Sequence, residues 1–376
     1  MEEPDFIVVG GGLYGAALTY ELVERGSSVV LLEGGRLAER ASGGPGKRGV
    51  RATLRNSREL PFIREALELW PHLSDRLGAD CGFERLGGLT LISPMPEVGE
   101  IGLAQARAHE ELQRAHGIDT RFLGSEELQN VQPGINADEL GALHCPDEGI
   151  ASQKLTTQAY AAAARRAGAA VLEQSMVEEV GSGPRPWAQV RGGRRLHARR
   201  AVILAANYGT NALLERSGQK PLPLWTMVPQ VLMYRAKENY QPKHLIGHLQ
   251  QKLAIKPLAD GITMISGGMR GKWDAGEESG TTVSRMIETS LNIATTALPA
   301  LAGGELLEAH ASLPETYTPD GLPYIDYIDS DSQVFVAAGW HGHGFAIAPS
   351  MASHIADWLS TGRKPSVLNP FRVPGR

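Results

Sequence analysis

The sequence predicts an α/β fold with two interleaved lobes, one built on a parallel sheet and one on an antiparallel or mixed sheet. Two strand–glycine–helix junctions, one near each end of the chain, indicate the first lobe. Between them, residues 221–284 contain short β-rich runs separated by loops, which is typical of an inserted antiparallel sheet. The chain is therefore expected to cross between the lobes more than once.

The first junction is a complete strand–turn–helix–strand unit. A short apolar strand, Phe6–Val9, runs directly into three glycines spaced as G-x-G-x-x-G. Residues 13–25 carry apolar side chains at helical spacing, and a second strand over 28–32 ends at Glu33. A lone glycine motif is weak evidence, but these parts in this order favour a dinucleotide site.

Each part of this unit has a physical role in binding a dinucleotide. Gly10 permits the tight turn, Gly12 lets the backbone approach a pyrophosphate, and Gly15 lets the helix pack closely on the strand. The helix N-terminus offers unpaired N–H groups to the phosphates, and Glu33 can accept hydrogen bonds from a ribose. A carboxylate at this point repels a 2′-phosphate, which disfavours NADP. The alternative is a glycine-rich turn without a ligand.

Length and composition are typical of a folded globular protein with a large core. The chain has 376 residues, of which 42% are hydrophobic and 21% charged. A net charge of −5 gives no reason to expect a nucleic-acid partner, and no apolar run is long enough to cross a bilayer. Cys81 and Cys145 are the two cysteines, without a Cys-x-x-Cys pair, which favours a reducing compartment. The cytoplasm is the expected location.

Residues 41–55 are glycine-rich and basic, which predicts a loop at the dinucleotide site instead of a strand. Ser42 is expected to cap a helix that follows. Arg48 and Arg51 are three apart and would share a face if the segment were helical. One could then contact a phosphate and the other a substrate carboxylate, because arginine makes two-point contacts with such groups. A solvated basic turn is the alternative.

Apolar periodicity predicts the other elements. A helical pattern over 60–77 is interrupted at Pro71. Further helices are expected over 97–116, from 125, over 153–168 and over 286–298. Strands are expected over 89–92, 170–173, 187–191, 201–206, 230–235, 253–256 and 262–266.

The second junction lies near the end of the chain. A Pro/Gly-rich loop is predicted over 313–324, followed by a buried strand over 333–338, a glycine-rich stretch and a helix from about Ala348 to Leu359. The N-terminus of that helix could stabilise partial negative charge on a cofactor. His341 and His343 alternate without a third nearby ligand, so no metal site is expected.

Four motifs carry a family resemblance: VVGGGLYG, ILAANYGT, TPDGLPYID and AAGWHGHGFAIAP. In this order, and with Glu33, they resemble the flavin-dependent D-amino-acid oxidase superfamily, particularly its sarcosine oxidase and glycine oxidase branch. The resemblance implies FAD, bound by a Rossmann-like FAD-binding lobe with an interleaved antiparallel or mixed β-sheet substrate lobe, as in glutathione-reductase-type flavoproteins. It implies FAD-binding segments 1–85, 145–220 and 310–376, and substrate segments 86–144 and 221–309. The implied chemistry is hydride transfer from a carbon bearing an amine to flavin N5, after which the imine hydrolyses.

The resemblance also implies roles for individual residues. The turn and Glu33 would hold the ADP half of FAD. Ser42 and Arg48 would lie in the loop that runs past the flavin and the pyrophosphate, and the backbone around His343 would contact the flavin carbonyl edge. The expected FAD-binding residues are Gly10, Gly12, Leu13, Tyr14, Gly15, Glu33, Gly34, Ser42, Lys47, Arg48, Val177, Ala205, Ala206, Gly209, Gly339, Gly342, His343, Gly344 and Phe345. The expected catalytic or substrate-binding residues are Arg51, Lys256, Glu315, Tyr317 and His341.

Arg51 is similar in position to the arginine that grips the substrate carboxylate in sarcosine oxidases. Lys256, Tyr317 and His341 are candidates for tuning the protonation of the amine, and each is alternatively structural or a flavin contact.

Four positions depart from the family pattern. Leu313 stands where some relatives carry the cysteine that tethers FAD, so FAD is expected to be non-covalent. Glu315 replaces an arginine that serves the substrate carboxylate, and could instead meet a second amine or a hydroxyl. Ala346 replaces a lysine of monomeric sarcosine oxidases, and Met264 lies near the position of a lysine linked to oxygen activation.

Two functions of different class remain open on this evidence. The first is an amine or amino-acid oxidase that passes electrons to O₂ and forms H₂O₂. The second is a dehydrogenase subunit of a heteromeric complex that passes electrons to a partner protein or quinone, which the missing lysine favours slightly. A non-catalytic FAD-binding protein and an NAD-only dehydrogenase are further alternatives. The identity and chirality of the substrate and the oligomeric state are not predicted.

Overall fold

The computed structural model describes residues 3–40, 42, 44–93, 99–311, 313–329 and 331–375. In this part of the chain, a six-stranded and an eight-stranded sheet organise the fold. We refer to the first as the nucleotide sheet and to the second as the platform sheet.

The nucleotide sheet has five parallel strands and one antiparallel edge strand, Tyr324–Tyr327. Its middle strands are apolar and buried on both faces, which is typical of a parallel sheet covered on each side. In spatial order the strands are Tyr324–Tyr327, Val334–Ala338, Ala201–Leu204, Phe6–Val9, Val29–Leu32 and Ala170–Leu172.

Both faces of the nucleotide sheet are covered. Three helices pack on one face, where small buried residues such as Ala16 and Ala17 let the first helix lie close to the strands. These helices are Leu13–Glu24, Gln153–Arg166 and Gly344–Thr361. A three-stranded antiparallel sheet covers the other face. Its strands are Val177–Gly181, Trp187–Val190 and Arg195–His197.

The platform sheet is antiparallel except where Leu245–His248 pairs in parallel with Gly88–Ile92. In spatial order its strands are Glu305–Ala311, Gln230–Arg235, Ile262–Ser266, Ala254–Pro257, Leu245–His248, Gly88–Ile92, Gly141–Cys145 and Arg121–Gly124. One face is buried under the helices Ser284–Ala297 and Ser125–Val131. Side chains on the other face, including Lys256 and its cross-strand partner Met264, line a cavity toward the nucleotide sheet.

Shorter elements complete the described chain. The other helices are Leu60–Leu69, Leu73–Leu77, Gly99–Ala115 and Thr210–Arg216, with 3₁₀ turns at Ser57–Glu59, Trp70–His72, Asn207–Gly209, Lys237–Asn239, Ala259–Gly261, Pro299–Leu301 and Ser366–Phe371. Short strands pair Gly149–Ala151 with both Arg48–Val50 and Glu84–Arg85, Trp225–Met227 with Glu315–Tyr317, and Lys272–Asp274 with Ser279–Thr281.

Most predicted elements are confirmed, including the interruption of the 60–77 helix at Pro71. Three predicted elements differ from the structure. The loops predicted over 41–55 and 313–324 each contain a strand, Arg48–Val50 and Glu315–Tyr317, because pairing with distant segments overrides the local Gly/Pro composition. The last helix begins at Gly344, four residues before the predicted start.

Ser42 does not cap a helix, as its hydroxyl donates a hydrogen bond to Glu315 instead. The side chain of Asn56 accepts the N–H of Arg58 at the start of the next helical segment.

The two sheets draw on alternating parts of the sequence. Strands of the nucleotide sheet come from residues 6–32, 170–204 and 324–338, and strands of the platform sheet come from 88–145 and 230–311. The chain thus passes from one sheet to the other four times. The lobe boundaries given above stay a prediction.

Candidate active site

A cavity of about 650 Å³ lies between the nucleotide sheet and the platform sheet. Its wall includes Val9 and Leu32 at the carboxyl ends of parallel strands, and Ala254 and Met264 on the platform sheet. The carboxyl edge of a parallel sheet is where open α/β proteins bind ligands. The volume is in the range of sites for small molecules and cofactors.

The glycine turn forms one end of this cavity. Gly10 has a positive φ of 107°, and a side chain there would place its Cβ 2.6 Å from the carbonyl oxygen of Ala205. A Cβ on Gly15 would lie 1.7 Å from the carbonyl oxygen of Gly10, so Gly15 is a packing contact behind the turn. A Cβ on Gly12 would meet nothing within 4 Å, because this residue faces the cavity. The open space at Gly12 leaves room for a ligand against the backbone.

Hydrogen-bond donors and a fixed carboxylate surround that space. The helix begins at Leu13, and the N–H of Ala16 donates to the carbonyl of Gly12. The N–H groups before Ala16 in the first turn have no acceptor within the helix. The carboxylate of Glu33 accepts the N–H groups of Gly11 at 2.5 Å and of Gly35 at 2.7 Å. An open glycine backbone, a helix N-terminus and this carboxylate fit the ADP half of a dinucleotide.

The second glycine junction lies beside the first. Tyr14 stacks on Trp340 with ring centroids 3.5 Å apart, and its hydroxyl donates to the carbonyl of Gly344 at 2.8 Å. Gly342 has φ 69°, and a Cβ there would meet nothing within 4 Å. Because the last helix begins at Gly344, two helix N-termini face the same cavity. Donors at both could hold separate parts of one extended cofactor.

A buried acid and a buried base occupy the wall between these junctions. Ser42 donates to Glu315 at 2.7 Å, and the N–H of Thr316 donates to the other carboxyl oxygen at 2.9 Å. The guanidinium of Arg48 donates to the carbonyls of Ser42 and Gly44. Burial lowers the pKa of Arg48 to about 10 and raises the pKa of Glu315, and each is opposed by the charge of the other. The pair therefore leaves little net charge on this part of the wall.

Arg51 lies on the floor of the cavity and is held from several sides. Its guanidinium donates to Thr90 at 3.0 Å and to Thr53 at 3.3 Å, and its Nε lies 3.9 Å from the carboxylate of Glu148. A Cβ on Gly247 would fall 2.4 Å from one of its terminal nitrogens. The side chain thus rests directly on the backbone of the platform sheet, and its Nε has no hydrogen-bond partner among the described residues.

Lys256 brings an amine into the cavity from the next platform strand. Its Nζ donates to Ser266 at 2.9 Å. Burial, helped by the charges of Arg48 and Arg51, lowers the pKa of Lys256 to about 7. Met264 is its cross-strand partner, so the two side chains share a face of the sheet. The cavity therefore contains a lysine amine although position 264 is a methionine.

Tyr317 and His341 lie at the outer end of the cavity. His341 has φ 55°, and its Nε2 accepts the N–H of Thr318 at 2.8 Å. Its ring meets Tyr317 edge to face at 4.9 Å, and Arg270 lies over the tyrosine ring at 5.3 Å. Burial lowers the pKa of His341, which favours a neutral ring at pH 7. Trp225, which stacks on Tyr317, is 46% exposed and marks the opening.

The structure places most predicted site residues around one cavity. All five predicted catalytic or substrate-binding residues line it, and so do all predicted FAD-binding residues except three. Gly15 packs behind the turn, Gly339 donates its N–H to Thr316, and Lys47 is ion-paired with Glu84 away from the cavity.

Several lining residues were not predicted from the sequence. They include Arg40, Arg55, His248, Lys252, Arg270 and Trp340. Trp340 lies within a motif quoted above, and Arg270 follows a Gly-Gly pair that closes a strand. His248 and Lys252 gave no local signal, because only the sheet pairing of Leu245–His248 and Ala254–Pro257 brings His248 and the loop with Lys252 to the cavity.

Neither a metal cluster nor a membrane helix is found in the described parts of the chain. No three His, Cys, Asp or Glu side chains there are grouped so that they could hold a metal ion. None of the helices described is long and apolar enough to span a bilayer.

Comparison with known proteins gives a family match over residues 5–358, to the model described as "FAD dependent oxidoreductase" (DAO). Glycine oxidase of Geobacillus kaustophilus is 26% identical over 380 residues, which cover 98% of this chain and 96% of that protein. Its crystal structure superposes with a TM-score of 0.81 at 24% identity and covers 100% of both chains. This confirms the predicted fold class.

Two further relatives extend the comparison. The 4-methylaminobutanoate oxidase (formaldehyde-forming) of Paenarthrobacter nicotinovorans is 26% identical over 377 residues, covering 95% of this chain but 43% of that protein. The chain therefore spans less than half the length of that relative. One subunit of the opine oxidase of Rhizobium meliloti is 26% identical over 369 residues, covering 94% of each chain.

Proposed function

Because the chain belongs to the family of FAD-dependent oxidoreductases, we propose that it oxidises the C–N bond of a small amine or amino acid that carries a carboxylate. One observation carries the proposal: Arg51, which rests on the platform sheet, and Lys256, which belongs to it, both line the cavity that the glycine turn opens into. A cationic anchor and an amine of shifted pKa beside a dinucleotide cradle suit a carboxylated amine substrate. The relatives named glycine oxidase and methylaminobutanoate oxidase support this choice.

The chain's own residues suffice to hold FAD non-covalently. Gly12 and the first helix N-terminus would bind the pyrophosphate, and Glu33 the ribose. The N–H groups at Gly344 and Phe345 would meet the flavin carbonyl edge, where a helix N-terminus favours negative charge. When bound, FAD supplies a two-electron oxidant.

The reaction needs no protein nucleophile. The substrate carbon gives up a hydride, the nitrogen loses its proton, and the C–N single bond becomes an imine. Water then adds to the imine and releases a carbonyl compound and an amine. Both electrons leave with the hydride, so the balance requires one acceptor such as O₂, which becomes H₂O₂.

Arg51 and Lys256 orient the substrate and prepare it for this step. Arg51 binds the carboxylate through Nη1, because its Nη2 donates to both Thr90 and Thr53 and its buried Nε faces Glu148. Lys256, with a pKa of about 7, is partly neutral at neutral pH and takes the proton from the substrate ammonium. The neutral amine is the form that can be oxidised.

The electron acceptor defines two versions of this function. The primary version is an oxidase that uses O₂, since the lysine amine of Lys256 lies in the cavity despite Met264. The second is a dehydrogenase subunit that passes electrons to a partner, which the relative named as an opine oxidase subunit favours. A cytoplasmic location is part of the proposal, since Cys81 and Cys145 are buried free cysteines that form no disulfide bond.

The experiment is product analysis on purified yellow protein. Sarcosine, glycine and 4-methylaminobutanoate are incubated in air, and the carbonyl product and H₂O₂ are measured together. Equimolar carbonyl compound and H₂O₂ support the oxidase. Carbonyl product that forms only with an added dye or quinone supports the dehydrogenase subunit. If no carbonyl product forms with either acceptor across a broader amine panel, the proposed function is wrong.

A further inference from the structure

The cavity has a second cationic position at its outer end, Arg270, which the proposed function leaves unused. Arg270 lines the cavity, is half-buried and lies over the ring of Tyr317. Arg40 and Arg51 have carboxylate partners, Glu278 and Glu148, whereas the ion pairs of the described residues include none for Arg270. A half-buried guanidinium without a counter-charge is suited to bind an anion.

The backbone holds Arg270 in this place. It follows Gly267 and Gly268, with φ of 120° and 132°, and a Cβ on Gly267 would fall 2.5 Å from the backbone of the neighbouring strand. Arg270 itself forms an isolated antiparallel bridge with Pro229, which leads into the strand Gln230–Arg235. The turn is therefore bound on both sides to the platform sheet.

Arg270 and Arg51 lie at opposite sides of the floor. Arg51 rests on Gly247 in the strand Leu245–His248. Arg270 bridges to Pro229, directly before the strand Gln230–Arg235. These two strands are three strand intervals apart in the platform sheet. Strands are about 4.8 Å apart, so the two attachment points are separated by roughly 14 Å. Because arginine side chains are long, a ligand between the two guanidinium groups spans less than this distance. Lys256 belongs to a strand that lies between the two attachment points.

Cationic side chains outnumber carboxylates around the cavity. Among the described residues, eight cationic side chains line it: Arg40, Arg48, Arg51, Arg55, Arg216, Lys252, Lys256 and Arg270. The carboxylates that line it in the same part of the chain are Glu33 and Glu315, and both already accept hydrogen bonds from the protein. Arg40 and Arg51 are ion-paired with Glu278 and Glu148, and Glu315 opposes the charge of Arg48, so the arginines and lysines that keep a positive charge without a described ion pair are Arg55, Arg216, Lys252 and Arg270. This remaining positive charge favours anionic ligands in the cavity, both FAD phosphates and substrate carboxylates.

We propose that Arg270 is a specificity-determining residue that binds a second carboxylate, so that the substrate is a secondary amine with a carboxylate on each side of its nitrogen. The inference rests on the proposed function and adds the substrate class. One carboxylate lies on Arg51, the other on Arg270, and the amine between them lies near Lys256. Oxidation of such a compound, followed by hydrolysis, gives a primary amino acid and an oxo acid.

The test compares mono- and dicarboxylates on the holoenzyme. Sarcosine is the reference, and N-(carboxymethyl)-, N-(2-carboxyethyl)- and N-(3-carboxypropyl)glycine supply a second carboxylate at increasing distance. Anaerobic rapid mixing gives the dissociation constant and the limiting rate of flavin reduction separately. We expect at least one dicarboxylate to bind ~10- to 100-fold more tightly than sarcosine, as one added charge-assisted hydrogen-bonded contact provides.

Variants assign the effect to Arg270. Arg270→Gln is expected to remove the advantage of the dicarboxylate while leaving sarcosine within about threefold, and Arg270→Lys to keep part of it. Arg235→Gln is the matched control, because Arg235 is exposed and does not line the cavity. Equal binding of sarcosine and all dicarboxylates, or equal losses for both classes in Arg270→Gln, would overturn the inference.

Binding without turnover separates this inference from the proposed function. Thiodiacetate and (methylthio)acetate replace the amine by sulfur, and their affinities follow from changes in the flavin spectrum. Tighter binding of thiodiacetate that disappears in Arg270→Gln supports the second anion site even if no amine is oxidised. Absence of that preference rejects the site even if sarcosine is a good substrate.

Discussion

Gly247 is predicted to determine the position of the substrate anchor although it contacts no substrate itself. In Gly247→Ala the new Cβ would lie 2.4, 2.6 and 2.8 Å from guanidinium atoms of Arg51. Ordinary carbon–nitrogen contacts are about 3.5 Å, so the guanidinium has to move by roughly 1 Å. A shift of that size away from the floor breaks the 3.0 Å bond to Thr90.

The expected result is a fall in kcat/KM of ~10- to 100-fold for a carboxylated substrate. This range follows from one lost charge-assisted hydrogen bond, and from the general cost of a misplacement of about 1 Å in an active site. FAD content should stay at the wild-type level, because Gly247 lies on the platform sheet, away from the glycine turn. Steady-state kinetics and the flavin absorbance per protein measure both quantities.

Gly124→Ala is the matched control for this prediction. Gly124 also belongs to a platform strand, and a Cβ there would meet nothing within 4 Å. Its kinetics are expected to match the wild type. If Gly247→Ala retains wild-type kcat/KM while Arg51→Ala loses activity, the position of the guanidinium in the structure is not the one that binds substrate, and the reasoning fails.

Two further predictions concern the cofactor and the buried lysine. Gly12→Val should purify without bound flavin, because its side chain fills the space in front of the helix N-terminus; a normal flavin spectrum would contradict this role. Burial lowers the pKa of Lys256 from 10.5 to about 7, so between these values the unfolded chain binds more protons and stability rises with pH. Lys256→Met should remove this rise, which is at most about 1 kcal/mol per pH unit. In urea unfolding, the free energy of unfolding of the variant should therefore exceed that of the wild type most at pH 7 and little by pH 10. A difference between the two proteins that does not change with pH would contradict a buried amine at position 256.

Local sequence patterns predicted the nucleotide sheet and the glycine turn at one end of the cavity well. Phe6–Val9, the glycine turn and the helix from Leu13 are consecutive, so spacing alone defines their geometry. The last helix was predicted to start at about Ala348, but contacts of Gly344 with Trp340 and Tyr14 accompany a start four residues earlier.

The substrate end of the cavity depends on contacts between distant segments. Arg48–Val50 becomes a strand through pairing with Gly149–Ala151, a partner about 100 residues away that no local pattern identifies. Lys256 was a weak candidate in the sequence, and its proximity to Arg51 follows only from the strand order of the platform sheet. The Gly-Gly pair before Arg270 indicated a turn but not its direction, which depends on the bridge of Arg270 to Pro229.

Anaerobic reduction of the bound flavin tests the central claim most directly. The purified protein is mixed with carboxylated secondary amines in the absence of oxygen. The absorbance band of oxidised flavin at roughly 450 nm is then followed. We expect a yellow protein whose flavin band bleaches with at least one of these amines and with no matching compound that lacks the nitrogen. A colourless protein, or a yellow one that no amine bleaches, would contradict it.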